Sequence, residues 1–469
     1  MNEPNTTLLR SRRPLSTIAS LIGLAVIAAL PAHASSSGLS ALATADQKSV
    51  EAEAVRLLAS PQVQKQIAAS NSVFAAQPLA AGDDAKKTQV GAVNELAFAT
   101  ALAAANSDPS RPKIVWGFTA PRTWLGQSVP GSRWGIDNPD NVYRIAPVDG
   151  ASTYEISVKP SNPGPVQYSF LIYDSFAGED GKRDHLDTPV AGLRDRDIKT
   201  QPDGSFKLTI APTAVAGAQN LIRSTPAARV LLIRNTFSDW ETQNPFAVTI
   251  KRIAGPAAQP APTETELATR AAALLKAGTD SVAEWASKGF TSQNKVNEIA
   301  QPFERGGGWG FAAPGKFKIA DDEAFVVTLD SVGAKYVGFD LTNPWLVSLE
   351  HIHGSGSLNN TQAVRSGDGT YTYVVAAHDP GVQNWLSTDG LHEGQIFIRW
   401  QDLPAAASAR GAVRSFKVVK LAELQNVLAS SGLSPVSAAE RLQLTQQRAA
   451  TYARRYTSPE AETKTVASR

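Results

Sequence analysis

Asp368-Gly369-Thr370-Tyr371-Thr372-Tyr373-Val374-Val375-Ala376 decides the reading of this chain, because it occurs twice. Its counterpart is Asp203-Gly204-Ser205-Phe206-Lys207-Leu208-Thr209-Ile210-Ala211. Each copy opens on an Asp-Gly turn and continues with the β-branched and aromatic residues of a strand. Moving outward, Gln219-Asn220-Leu221 returns as Gln383-Asn384-Trp385, and Leu231-Leu232-Ile233-Arg234 returns as Ile396-Phe397-Ile398-Arg399, at offsets of 164 or 165 residues. Upstream, Tyr168 to Phe176 answers to Tyr336 to Trp345. A period this long marks two domain-sized copies, not a solenoid.

The texture around the copies gives the fold class. From Lys113, short runs rich in Val, Ile, Tyr and Phe alternate with Gly, Pro, Asn and Asp clusters. These runs are Asn141–Ile145, Thr153–Val158, Val166–Tyr173, Phe206–Ile210, Val230–Arg234 and Phe246–Arg252. Strands resume at Phe317, with Ala324–Leu329, Lys335–Leu341, Tyr371–Ala376, Gln395–Trp400 and Arg414–Val419. Regular short strands with turn punctuation predict antiparallel sandwiches. Helices are expected at Glu51–Ala59, after Ser60-Pro61, and at Ala85–Asn106. Two more are expected between the copies, one from the capping box Thr263-x-x-Glu266 and one near Ser281–Ala286, and a last one opens at Ser434-Pro435. The expected architecture is mainly β with flanking helices (α+β): two tandem jelly-roll-like antiparallel β-sandwich domains, internally duplicated. Its divisions are a signal peptide (1–34), an N-terminal helical segment (35–112) with a flexible lead over 35–48, and a first sandwich (113–256). A helical connector (257–316), a second sandwich (317–420) and C-terminal helices with a disordered tail (421–469) complete it. Two such domains packed about a pseudo-two-fold axis would leave a cleft at their junction, a common ligand site.

Arg10, Arg12 and Arg13 precede an apolar run from Ile18 to Leu30 and then Ala32-His33-Ala34. That is the pattern of a secretory signal cleaved after Ala34, and Ser11-Arg12-Arg13-Pro14-Leu15 loosely resembles a twin-arginine signal. The expected location is periplasmic or secreted, with no integral membrane segment after cleavage. The full chain has 45 Lys and Arg against 43 Asp and Glu. Removing residues 1–34 takes away three arginines and one glutamate, so the remainder is close to neutral. No basic block is interleaved with aromatics, which argues against nucleic acid or an anionic membrane as a partner. With no cysteine in the chain, disulfides, thiolate metal sites and cysteine nucleophiles are excluded.

Residues of the second copy resemble a known bacterial family. They are Tyr336 to Trp345, Ser357-Leu358-Asn359, Gln362-Ala363, His378-Asp379-Pro380-Gly381, Asn384-Trp385-Leu386 and Ile398-Arg399-Trp400. In the first copy, Trp134-Gly135, Asp137-Asn138-Pro139-Asp140-Asn141 and Tyr143 fit the same pattern. Together they resemble the domain-of-unknown-function 1214 family over roughly residues 113–420. The resemblance implies tandem jelly-roll-like β domains with helices and no settled reaction. Where the family pattern expects Asp after Asn-Trp-Leu, this chain has Ser387, with Asp389 two residues on.

Candidate chemistry gathers in the second copy. His351-x-His353, if on a strand, would turn two imidazoles to one face and could ligate a metal. The glutamate that a cupin-type site needs is replaced there by Gly354-Ser355-Gly356-Ser357. His378, Asp379, Asp389 and His392 are candidate acid–base residues. Trp385, Asn384, Arg399 and Trp400 are candidate ligand contacts. Asp379-Pro380-Gly381 reads as a tight turn as well, and Asn384 and Arg399 recur as Asn220 and Arg234, which suits structural roles. The acidic loop Asp174–Asp187 lacks the spacing of a calcium loop. Gly310–Lys316 matches G-x-x-x-x-G-K only formally, because Phe317 follows and a strand is expected. No Gly-x-Ser-x-Gly elbow occurs. The function expected is binding of a small organic or glycan ligand in a cleft between the sandwiches. The alternatives are a hydrolase or lyase using a His/Asp pair, with or without a metal, and a structural envelope protein. The sequence does not identify a cofactor.

Overall fold

The computed structural model describes residues 40–177, 179, 189–288 and 295–456. The signal segment, Asp180, Asp184 and Asp187 of the acidic loop, and the tail beyond Tyr456 lie outside the described residues.

Each copy folds as a two-layer sandwich, and eight strands are common to the two. In the first, one sheet is ordered Val115–Gly117, Asn141–Pro147, Val230–Thr236, Gln167–Tyr173, Ala191–Arg194, where the first strand is an addition to the repeat. The other is ordered Ala247–Ala254, Thr153–Lys159, Phe206–Ala211, Leu221–Arg223. The second sandwich repeats this order. Its larger sheet runs Phe311–Lys318, Glu393–Gln401, Tyr336–Thr342, Ser357–Asn359, with the short strands Glu298–Ile299 and Phe303–Glu304 added beside Phe311–Lys318, and its smaller sheet Val413–Lys420, Glu323–Asp330, Thr370–Ala376, Trp385–Ser387. In both copies the short last strand of the smaller sheet pairs parallel, Leu221–Arg223 with Phe206–Ala211 and Trp385–Ser387 with Thr370–Ala376. The other pairings within each sandwich are antiparallel. Strand order, direction and the parallel exception therefore coincide, which shows the duplication in three dimensions.

Alternation sets what each strand buries. On Val230–Thr236, Leu231 and Ile233 enter the first core, with Tyr154, Ile156 and Phe170. Val230, Leu232 and Arg234 point the other way, into a cavity. On Glu393–Gln401, Ile396, Ile398 and Trp400 enter the second core, while Arg399 and Gln401 face that same cavity. The larger sheet of each sandwich thus turns its outer face toward the junction.

Helices α1 (Ala45–Leu58), α2 (Pro61–Ala75), α3 (Asp83–Ala105) and α4 (Glu264–Lys288) pack together as a layer against both sandwiches. Phe74 stacks on Trp345 of the second sandwich at 4.3 Å between ring centroids, and the Trp345 indole N–H donates to the Ala85 carbonyl.

Four boundaries differ from expectation. The stretch expected as a flexible lead includes Ser40, Leu42 and the start of α1; Leu42 is buried and Ser40 Oγ donates to the Arg455 carbonyl. The two helices expected between the copies are one, because Gly278 falls where α4 packs against Leu96 and Ala177, a close approach and not a break. The connector was expected to reach residue 316, yet Glu298–Ile299, Phe303–Glu304 and Phe311–Lys318 already belong to the second sandwich. Pro314 and Gly315 disguise that strand. The terminal helix, Ala438–Ala453, starts at a Ser437/Glu440 capping box, three residues after the expected Ser434.

The formal phosphate-loop match is the strand Phe311–Lys318 with its preceding turn. Gly310 sits at φ +99°, and a Cβ there would lie 2.0 Å from the Trp400 carbonyl oxygen, so glycine is required for packing.

Candidate functional site

The segment Trp134–Asn141 joins the two sandwiches. Ile136 N donates to the Leu346 carbonyl at 2.9 Å, and both Asp137 carboxylate oxygens are taken by Ser348, from its backbone N and its Oγ. Asn138 Nδ2 bonds Tyr336 Oη at 2.9 Å. Asp140 accepts from Trp240 Nε1 (2.6 Å), Tyr336 Oη (2.8 Å) and Asn359 Nδ2 (2.9 Å). Burial raises the pKa values of Asp137, Asp140 and Tyr336. For Asp137 it outweighs Arg133 and the Ser348 bonds and leaves the carboxyl at about 6. A seam this polar, with these donors satisfied, fixes one relative placement of the domains.

Beside this seam lies a cavity of about 100 Å³, walled by both sandwiches and by α4. Phe118, Trp134, Tyr143, Tyr173, Phe176 and Trp285 make it aromatic, and Arg234, Arg305 and Arg399 line it. Arg234 and Arg399 are duplication equivalents, one from each sandwich. Arg399 is buried; it pairs with Asp340 and donates through Nη2 to the Ile136 carbonyl at 2.7 Å. Burial pushes the Asp340 carboxyl upward against the pull of Arg399. In register, Asp340 sits opposite Phe397, and the matching position of the first copy, opposite Leu232, is Leu171. Arg234 donates to Tyr173 Oη at 2.9 Å, and its guanidinium lies 4.7 Å from the centroid of Trp309.

Three buried polar atoms of residues lining this cavity have no hydrogen-bond partner among the described residues: Trp134 Nε1, Asn141 Oδ1 and Gln401 Oε1. Trp134, Asn141 and Gln401 are 4%, 6% and 1% exposed. Unpaired buried groups are rare and each leaves about 1–3 kcal/mol of desolvation uncompensated. Here they belong to residues of both sandwiches that line one hollow.

A second concavity, an open groove of about 930 Å³, runs between the loop Ser238–Glu241, the second sandwich and the terminal helix. His353, Asn384, Trp385 and Asp389 line it, so four of the ten sequence candidates share one hollow. Their side chains are partly committed. Asn384 Nδ2 donates to the carbonyls of Val364 and Thr372, and its Oδ1 accepts from Val364 N. Asn220 clamps Lys199 and Lys207 in the same way. The Trp385 indole N–H donates to Ala376 O, its ring packs on the second sandwich, and Arg441 lies 5.0 Å above it. Asp389 Oδ2 accepts from Glu350 N.

The other candidates go elsewhere. His351-Ile352-His353 is a bend, not a strand, so its imidazoles do not share a face: His351 is buried and His353 exposed. His351 Nδ1 bonds the Leu349 carbonyl at 3.0 Å, and burial, then Arg133, hold its pKa well below the ordinary value. No group of three His, Cys, Asp or Glu able to hold a metal ion occurs among the described residues. Asp379 forms the expected tight turn, accepting from Gly381 N, and is ion-paired to Arg441. His378 and His392 both meet Asp321 Oδ1, at 3.1 and 3.0 Å, on an exposed surface away from both concavities. Trp400 is fully buried in the second core, its indole N–H on the Asp330 carbonyl. Of the candidate ligand contacts, Arg399 alone reaches the junction cavity. In the acidic loop, Glu179 accepts from the backbone N–H groups of Phe176 and Ala177.

Trp134, Asn141 and Gln401 were not among the candidates. The signal that could have found Gln401 is alternation: with Ile396, Ile398 and Trp400 inward, Phe397, Arg399 and Gln401 must face out.

No protein-family model and no curated protein matches the chain. Among solved structures, a crystal structure of an uncharacterized protein from Burkholderia cenocepacia covers 79% of this chain and 99% of its own, with a TM-score of 0.64 and 26% identity. The VPA0106 protein from Vibrio parahaemolyticus is more distant, with a TM-score of 0.37 and 12% identity over 61% of this chain and 90% of its own. The first is similar in fold over most of the chain.

Proposed function

We propose that this chain is an exported binding protein that holds a small organic molecule in the cavity where its two sandwiches meet. The observation that carries the reading is that Trp134, Asn141 and Gln401, each with a buried polar atom that lacks a partner, are lining residues of one aromatic-walled hollow. A molecule with its own donors and acceptors would satisfy all three. Export rests on the Arg10-to-Ala34 pattern; among the described residues no helix is long and apolar enough to cross a membrane. The sequence resemblance to the domain-of-unknown-function 1214 family is compatible with this reading and adds no reaction. A glycan fits less well, because the cavity is small and the groove's Trp385 has Arg441 over one face and the core against it. The hydrolase or lyase alternative rests on His353 and Asp389, which line the open groove together.

The test is a thermal-shift screen of small polar organic molecules, repeated on Trp134→Phe. That variant removes the indole N–H and keeps an aromatic ring. Hits that stabilise the parent protein and bind the variant about 5- to 30-fold more weakly are expected, the loss of one or two hydrogen bonds' worth of free energy. Hits unaffected by Trp134→Phe would contradict the assignment of the site.

A further inference from the structure

We infer that the open groove under the terminal helix is a docking site for an extended peptide carrying basic and apolar residues. The inference concerns this groove alone and stands apart from the reading of the junction cavity. It starts from the helix Ala438–Ala453. Of its sixteen residues only Tyr452 is buried, whereas a helix of this length owes most of its stability to packing. The helix is moored at its two ends. Near its start, Val436 N donates to the Gly381 carbonyl, Ser434 N donates to Gln383 Oε1, and Arg441 pairs with Asp379. Near its end, Arg448 donates to the His351 carbonyl and to Ser357 Oγ, and Tyr452 packs edge-on against Trp240 at 5.3 Å between ring centroids. Between the moorings, Leu444, Thr445 and Gln447 border the groove. Leu444 is 49% exposed, so the middle of the helix offers an apolar side chain that its own fold leaves half uncovered.

The facing wall suits an extended chain. Ser357–Asn359 and Trp385–Ser387 are the end strands of the larger and the smaller sheet, and Leu358, Trp385 and Ser387 line the groove. Ser387 N donates to the Ser355 carbonyl at 3.0 Å, which ties the two edges together. Val364, 39% exposed, lines the groove as well. Sheet edges and half-covered apolar side chains are what extended peptides engage. The volume of about 930 Å³ lies at the upper end of the ~300–1,000 Å³ that small-molecule pockets span.

Charge selects the occupant. Asp239, Glu241, Glu350, Asp389 and Glu440 line the groove, against Arg441 and Arg448. None of the five carboxylates is in an ion pair among the described residues. The charge of Arg441 is met by Asp379, outside the groove, and Arg448 lies in the field of Asp140, Asp340 and Glu350. Desolvation, and then the charge of Glu350, lift the Asp389 carboxyl to about 6. A cation beside that pair favours the ionised form of both. Lysine and arginine bring such a charge on an apolar stem, and a peptide also brings side chains for Leu444 and Val364.

The test measures binding of an alternating lysine–leucine hexapeptide to the full chain by calorimetry, beside its glutamate–leucine and serine–leucine counterparts and spermine. The lysine–leucine peptide is expected to bind at least about tenfold more tightly than each of the other three, and to weaken as salt rises. Glu241→Gln and Asp389→Asn are each expected to weaken it about 1.5- to 5-fold. Asn suits the Asp389 position, where φ is +55°. Leu444→Gln, on an exposed helix face, is expected to weaken the peptide about fivefold and leave spermine unaffected. Equal binding of the lysine and glutamate peptides, or binding that all three variants leave unchanged, would overturn the inference. So would spermine binding as tightly as the peptide, or no peptide binding at millimolar concentration. A dimer of the chain that Leu444→Gln dissolves, with no peptide bound, would assign this face to a second copy and overturn it too.

Discussion

Asn220 and Asn384 make the same three hydrogen bonds in two domains that have otherwise diverged. Each ties the parallel end strand to the turn ahead of its neighbour, and both amides are bonded to backbone groups. Replacing either by Ala leaves buried backbone groups unpaired, at about 1–3 kcal/mol each. Asn384→Ala and Asn220→Ala are therefore expected to lower stability by a similar amount, about 2–4 kcal/mol, with ligand affinity unchanged in the fraction that stays folded. Denaturant unfolding and calorimetry check this, and a selective loss of affinity in Asn384→Ala would restore it as a ligand contact. Trp134 should behave in the opposite way. Removing its orphaned N–H in Trp134→Phe relieves a desolvation penalty, so the ligand-free variant is expected to be as stable as the parent or more so. A drop of more than about 2 kcal/mol in unfolding measurements would show that the N–H is satisfied in the folded protein.

Among the elements, strands were the most legible part of the sequence. Val230–Thr236 and Glu393–Gln401 announce themselves by alternation and β-branched content, and a duplicated pattern checks itself. The His351-Ile352-His353 segment was misread because i, i+2 spacing implies a shared face only on extended backbone, and Gly354 and Gly356 continue a bend here. His351 instead sits under the terminal helix, its ring 5.5 Å from that of Tyr452, with Arg133, Arg448 and Arg455 the nearby charges. Burial and those cations keep it neutral in the folded chain, while in the unfolded chain it takes up a proton near its ordinary value of about 6.5. Stability from this residue is full above that pH and declines as pH falls through it, by at most about 1.4 kcal/mol per unit. His351→Asn retains a donor for the Leu349 carbonyl and removes the titration. Its stability relative to the parent is expected to improve steadily from pH 7 to pH 5. A difference independent of pH would show that His351 takes up its proton in the folded chain as readily as in the unfolded one.

For the whole molecule, the duplication could be read from sequence and the junction could not. Trp134, Asn141 and Gln401 are brought together by how two sheets and a helical layer pack, and no local pattern encodes that. The ten candidates drawn from sequence, four histidines, two tryptophans, two aspartates, an asparagine and Arg399, all lie in the second copy. Packing disperses most of them among a core, an open groove and an exposed surface, and of the ten only Arg399, the arginine that recurs in both copies, reaches the cavity. A residue shared by the copies can mark the axis between them as readily as a scaffold within each.

A crystal structure of the protein with the tightest ligand from the screens tests the central claim most directly. The account predicts density in the junction cavity, within hydrogen-bond distance of Trp134 Nε1 and of the Asn141 or Gln401 amide. Density in the groove beside His353 and Asp389, with the junction cavity unchanged, would contradict it.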